Sequence, residues 1–112
     1  MEEFLQFSER PDAVYAAGDF AALGALQVLL EHNIKVPEEI ALVGFSNEPF
    51  TSYVKPSIST INQHSEQIGK KAAEIFLKKM KNPKDKSKNK IILDAELIVR
   101  DSSSKREIIK ND

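Results

Sequence analysis

Two short apolar runs, each stopped at a glycine and separated by one Ala/Leu-rich stretch, constrain this chain more than anything else in it. The first, Ala13 to Ala17 within "PDAVYAAGD", is bounded by Pro-Asp and Gly18-Asp19, which reads as a buried strand closing on a turn. The second, Ile40 to Val43 within "EEIALVGFSNEPF", stops at Gly44 and releases Ser46, Asn47 and Glu48. Between them "FAALGALQVLLEHN" reads as a helix, with Asp19 placed to cap its start and Asn33 to stop it. Strand, helix and strand in that order make a right-handed βαβ unit with parallel strands.

The helix is apolar on nearly every side, from Phe20 through Leu23, Leu26 and Val28 to Leu30. That exceeds the arc of about 100° that a surface helix buries. Two packing partners fit this pattern, the sheet and either a second subunit or the rest of one chain's core. Gly24 in its interior costs about 1 kcal/mol relative to Ala, which a close helix approach would explain.

Farther on, Pro37 suits the tight connection into the second strand, and "KPSISTINQ" suggests a third around Ile58 and Ile61. "HSEQIGKKAAEIFLKKM" is an amphipathic helix capped by Ser65. Ile68, Ala72, Ile75, Phe76 and Met80 share one face, and Glu74 to Lys78 is a favourable i,i+4 pair. "IILD" and "AELIVR" read as short strands, the latter with Leu97 and Val99 alternating against Glu96, Ile98 and Arg100. "DSSSKREIIKND" has little to bury and is expected to fray.

A chain of 112 residues, 41% of them apolar, supports one modest core. Without cysteine it has no disulfide, thiolate metal site or thiol nucleophile, which suits a reducing cytosol. No apolar run approaches the roughly 20 residues of a membrane span, and "MEEFLQFSER" is too acidic and polar for a signal peptide. A soluble, cytoplasmic protein is expected, with no membrane partner.

The charge is divided unevenly. Residues 1–77 carry 5 Lys/Arg against 11 Asp/Glu, and residues 78–112 carry 11 against 6. Five of those lysines lie in "KNPKDKSKNK" without an aromatic to stack a base, so the basic run reads as a solvated loop and not a nucleic-acid contact.

Catalytic signatures are thin. His32 and His64 have no metal-pair spacing, and there is no Walker A loop, G-x-S-x-G elbow or dinucleotide fingerprint. No metal and no cofactor are expected. What remains is positional: Gly18-Asp19, Ser46-Asn47-Glu48 and Asn62-Gln63 are polar clusters at three successive strand ends. In a parallel sheet such ends converge on one edge, where open α/β folds bind ligands. Hydroxyl, amide and carboxylate groups without a strong nucleophile suit hydrogen-bonding a neutral polyol better than breaking a bond. Ordinary capping and turn residues account better for any one cluster alone, and about equally well for all three together.

The ordered series P-D-A-V, G-D opening an Ala/Leu helix, V-P-E-E-I-A-L-V-G-F, a Pro before S-I-S-T-I-x-Q, and a closing E-L-I-V-R closely resembles the C-terminal part of the effector-binding region of the lactose/galactose (LacI/GalR) repressor family. The resemblance runs from Pro11 to about Ser103. It implies an α/β fold of the periplasmic-binding-protein-like (type I) kind with a parallel sheet, two subdomains closing on a small ligand, present here as an incomplete C-terminal fragment. Residues 8–62 would belong to the C-terminal subdomain, 63–94 (a helix and a strand at 91–93) to the N-terminal one, 95–103 to a return strand, and 104–112 to a disordered tail. The crossings would lie near Asn62-Ser65 and Asp94-Ala95.

The resemblance further implies a regulator, not an enzyme, that senses a sugar or sugar derivative as a homodimer. It would meet operator DNA only through an N-terminal helix-turn-helix that this sequence lacks. Effector contacts would come from Gly18, Asp19, Ser46, Asn47 and Gln63, and dimer contacts from Leu23, Leu26, Gln27, Leu30, Pro49 and Tyr53. Many relatives place Asp where Ser46 stands, so the ligand can differ too. A small α/β enzyme acting on a polyol or nucleoside, with Asp19 or Glu48 as base, is the alternative from another class. An exported sugar-binding protein of the same fold is a third. Losing the sheet beneath the second helix would expose Ile68, Ile75 and Phe76, a cost that refolding or self-association would relieve.

Overall fold

The computed structural model describes residues 1–105. In chain order these form α1 (Glu2–Leu5), β1 (Ala13–Tyr15), α2 (Asp19–Glu31), β2 (Ala41–Val43), β3 (Thr60–Asn62), α3 (Ser65–Lys81) and β4 (Glu96–Ile98), with a 3-10 turn at Pro49–Ser52. The βαβ unit is as the sequence predicts: β1 and β2 pair in parallel with Val14 opposite Leu42. β3 continues the parallel arrangement through a Val43–Ser59 bridge, with Gly44 N–H donating to Ser59 O at 2.8 Å. β4 closes antiparallel on β3, Thr60 facing Ile98 and Asn62 facing Glu96.

The core lies between α2 and this sheet. Ala22, Leu26, Leu42 and Ile58 are buried together, with Val14, Ala16 and Phe50 packed around them. A second cluster, Leu29, Ile34 and Ile40, is covered by Met1 and Leu5, which is what the short α1 contributes. Burying each large apolar side chain among them contributes roughly 1.5–3 kcal/mol.

Asn33 stops α2 as expected. It adopts a left-handed φ of 56°, with Asn33 N–H bonded to Leu30 O at 3.1 Å and Ile34 N–H to Leu29 O at 2.9 Å. That is the double capping arrangement in which the residue after the cap turns left-handed, and the Leu29–Ile34 contact completes it. Gly24 behaves otherwise: a Cβ there would meet nothing within 4 Å, so no close helix approach among the described residues requires it.

Several expectations are corrected. Ser65 does not cap α3; His64 holds that position with φ 54° and no side-chain cap bond, and Ser65 is the first helical residue. The ion pair on α3 is Lys71–Glu74 at 3.4 Å, not Glu74–Lys78. Residues 91–93 form no strand, because no neighbouring strand runs beside them. Along β4 and the two residues after it the half-buried side chains are Ile98 and Arg100, while Leu97 and Val99 are exposed.

Asp101-Ser102-Ser103 does not fray. Ser102 is fully buried: its hydroxyl donates to Leu42 O at 2.5 Å and accepts from Ser59 N–H at 2.8 Å. Its carbonyl accepts from Leu42 N–H and its N–H reaches Ser57 O. One serine therefore satisfies backbone groups of two strands. Of the expected tail, residues 106–112 lie outside the described residues.

α3 stands apart. None of its residues is buried, Phe76 and Met80 are each more than 60% exposed, and the longest extent of the molecule is 66 Å. The exposure foreseen for Ile68, Ile75 and Phe76 is present, only half-relieved at Ile75, and the helix has not folded back onto the sheet. A shallow groove of about 380 Å³ separates it from Asn89, Ile91 and Leu93. In the lysine-rich loop, the Asp85 carboxyl accepts the Ser87 N–H at 2.9 Å, which holds it below the usual carboxylate range.

Candidate ligand site

β1 and β2 end side by side, Ala16 N–H donating to Val43 O at 2.8 Å. Gly18, in extended conformation, precedes α2 as its cap residue and offers no side-chain bond. Asp19 begins the helix, and its N–H donates to Phe45 O at 3.0 Å. The carboxylate is only 2% exposed and does not cap α2. Instead, Oδ1 accepts the Thr60 hydroxyl at 2.7 Å and Oδ2 accepts the Glu48 N–H at 2.6 Å. Both oxygens are spent inside the chain.

Past β2 the backbone does something local propensity opposes. Ser46 has φ 118° and Asn47 φ 61°, two consecutive non-glycine residues in left-handed territory. Each such conformation costs on the order of 1–3 kcal/mol and persists only where the surroundings over-determine it. Here three successive N–H groups are held by three different acceptors: Ser46 by Ile61 O at 3.0 Å, Asn47 by Thr60 Oγ1 at 3.1 Å, and Glu48 by Asp19. The Thr60 hydroxyl thus accepts from the turn and donates to Asp19. Gly44 makes room for this arrangement, because a Cβ there would fall on Asp19 Oδ1 and crowd Ala22.

The third strand end follows β3. Asn62 Oδ1 accepts the His64 N–H at 3.0 Å, and a depression of about 190 Å³ opens among Asn62, His64, Ser65, Glu66 and Gln67. Gln63 is half-buried beside it. Gly18, Ser46 and Asn47 are brought to one edge by the Asp19 bonds, and Ser46 is tied to Ile61, two residues before Gln63. Sequence reasoning missed Thr60 and Arg100. Thr60 reads only as a strand former, and Arg100 as an outer-face charge. In fact the Arg100 guanidinium donates to Thr51 Oγ1 at 2.8 Å, Ile58 O at 3.0 Å and Asn47 Oδ1 at 3.3 Å.

Of the expected interface residues, Leu26 is corrected: at 2% exposure it belongs to the core and faces away from any partner. Leu23 is half-buried, while Gln27, Leu30, Pro49 and Tyr53 are exposed, Tyr53 at 81%. Phe20, 69% exposed, and half-buried Phe50 form an aromatic pair with ring centroids 5.0 Å apart, joining α2 to the 3-10 turn. A separate concavity of about 470 Å³, lined by Phe4, Phe7, Arg10 and the β1 residues Ala13, Val14 and Tyr15, includes none of the expected effector residues. Among the described residues no group of three or more His, Cys, Asp or Glu could hold a metal, and no helix is long and apolar enough to cross a membrane.

The sequence profile of the periplasmic binding protein-like domain matches residues 1–103, beginning ten residues before the resemblance read from Pro11. The HTH-type transcriptional repressor PurR of Vibrio atlanticus is 33% identical over 99 residues, covering 88% of this chain and 29% of the repressor. A LacI-type transcription regulator from Bifidobacterium animalis subsp. lactis superposes with a TM-score of 0.84 at 32% identity, over 92% of this chain and 36% of that one. A LacI family transcriptional regulator from Enterococcus faecium with bound ribose gives a TM-score of 0.81 at 25% identity, over 95% and 38% respectively. The chain spans under a third of the length of the curated relatives it matches.

Proposed function

Because the chain belongs to the periplasmic binding protein-like domain family, in the branch of the LacI-type repressors, we propose that it is the effector-sensing and dimerising end of a sugar-responsive transcription regulator. One observation carries this reading: the left-handed Ser46-Asn47 turn, held by three elements at the edge where three strand ends meet. Strain maintained at that cost marks a surface that has to be presented in one shape. Gly18, Ser46, Asn47 and Gln63 would contact the effector, and Asp19 would serve from behind by fixing the turn. The ribose bound by the Enterococcus faecium regulator suggests a sugar or sugar derivative as ligand class.

The exposed face of α2 with Leu23, Gln27 and Leu30, extended by Pro49, Tyr53 and the Phe20–Phe50 pair, would meet a second copy. Effector binding would favour one closure state and so reposition DNA-reading domains supplied by other parts of the protein, coupling two sites through a two-state element. Of the two bases that an enzyme would use, Asp19 is 2% exposed and directed inward at the Thr60 hydroxyl and the Glu48 N–H, which favours a structural role for it.

Thermal unfolding of the complete regulator against a panel of sugars and sugar phosphates tests this. A bound ligand at 100 times its Kd adds about 2.7 kcal/mol of stability. Gln63→Ala is expected to weaken that ligand by about 1–3 kcal/mol, the cost of one unsatisfied buried partner. Unchanged affinity would remove Gln63 from the site.

A further inference from the structure

Arg100 follows β4 on the half-buried side of that strand, and its backbone is tied to β3 by an N–H bond to Ser59 Oγ at 2.7 Å. Its guanidinium reaches three separate segments, through Thr51, Ile58 and Asn47. Among the described residues it has no carboxylate within ion-pair distance; the ion pair found there is Lys71–Glu74, on α3. A half-buried cation directed only at neutral oxygens is placed for its geometry, because the planar fork fixes the directions of its donors.

A guanidinium donates and never accepts, so the Asn47 atom it faces is the carbonyl oxygen. The Nδ2 group of the same carboxamide is then turned away. Every buried side-chain polar atom among the described residues has a partner, and Asn47 Nδ2 bonds to none of them, so it is open to solvent. We propose that Arg100 is a positioning residue that locks the Asn47 carboxamide with its NH2 group outward from the strand-end turn, so that a ligand there meets a hydrogen-bond donor. The ligand atom at that point is then an oxygen acceptor, from a hydroxyl, carbonyl or carboxylate. This deepens the reading of the strand ends as an effector site and rests on it. It also joins the return strand β4 to the turn, so that a shift of one is felt at the other.

Side-chain ¹⁵N relaxation on the 112-residue chain tests the lock without any ligand. The Asn47 Nδ2 order parameter is expected near the value of about 0.85 typical of rigid backbone, and below about 0.6 in Arg100→Met, while the Leu42 amide stays rigid. Arg100→Lys, a point charge without the fork, is expected to leave the carboxamide loose as well. A mobile Asn47 carboxamide in the native chain overturns the proposal, as does equal rigidity in Arg100→Met or full recovery in Arg100→Lys. If Arg100→Met does not fold, the native measurement and Arg100→Lys still decide. A rigid carboxamide in a regulator that binds no sugar would overturn the functional reading alone, and a mobile one in a regulator that does bind would overturn only the lock.

Discussion

The Thr60 hydroxyl donates to Asp19 Oδ1 at 2.7 Å, joining β3 to the first residue of α2 across 41 positions of sequence. The same carboxylate holds the Glu48 N–H, so one side chain ties the start of α2 to the turn after β2 and to the start of β3. Asp19→Ala strips an acceptor from a buried hydroxyl and from a turn N–H, and is expected to cost about 3 kcal/mol. Asp19→Asn keeps one acceptor but leaves the Thr60 proton without a partner, and should cost about half as much. Urea unfolding of the two variants checks both the order and the size.

Gly44→Ala places a methyl group on Asp19 Oδ1. The carboxylate cannot step aside without releasing Thr60 or Glu48, so the expected loss is about 3 kcal/mol, at the upper end of overpacking costs. In combination with Asp19→Ala the two losses should fall well short of their sum, because the clash disappears with the carboxylate. A double-mutant cycle showing simple additivity would sink this account.

Ser102→Ala removes a hydroxyl that serves Leu42 O and Ser59 N–H at once. Both groups are buried between strands, and an unsatisfied buried N–H costs about 1–3 kcal/mol. The amides of Leu42 and Ser59 should exchange faster with deuterium in the variant, with those of α3 unaffected.

The apolar face of α3, with Phe76, Leu77 and Met80 all more than half exposed, is expected to drive self-association of the isolated chain. Light scattering over a concentration series should show mass rising with concentration, and Phe76→Glu should shift it toward the monomer. A native chain that stays monomeric and binds no hydrophobic dye would refute this.

The βαβ unit was legible because its signals are local: apolar runs, a helix start at Asp19, a left-handed stop at Asn33. The Asp19 side chain was not, since the best local use of an aspartate before an Ala/Leu run is to cap the helix, and its partners Glu48 and Thr60 lie 29 and 41 positions away. Ser102 was hidden for the same reason, its small polar side chain reading as tail until β2 and β3 are set around it. At residues 91–93 the pattern was sound and the partner was missing, for an apolar run becomes a strand only beside another. Leu26 illustrates the reverse case: a helix apolar all round shows that two faces are used without showing which residue serves which.

Asn62 and Glu96 face each other across the β3–β4 ladder. In topological terms the two strands are a hairpin, and everything from Gln63 to Ala95 is an insertion at its tip. Such an insertion enters and leaves through a single rung, so its covalent connection to the sheet runs through Asn62 and Glu96 alone. That rung is the insertion's stem, and Arg100 lies two residues past the far end of β4.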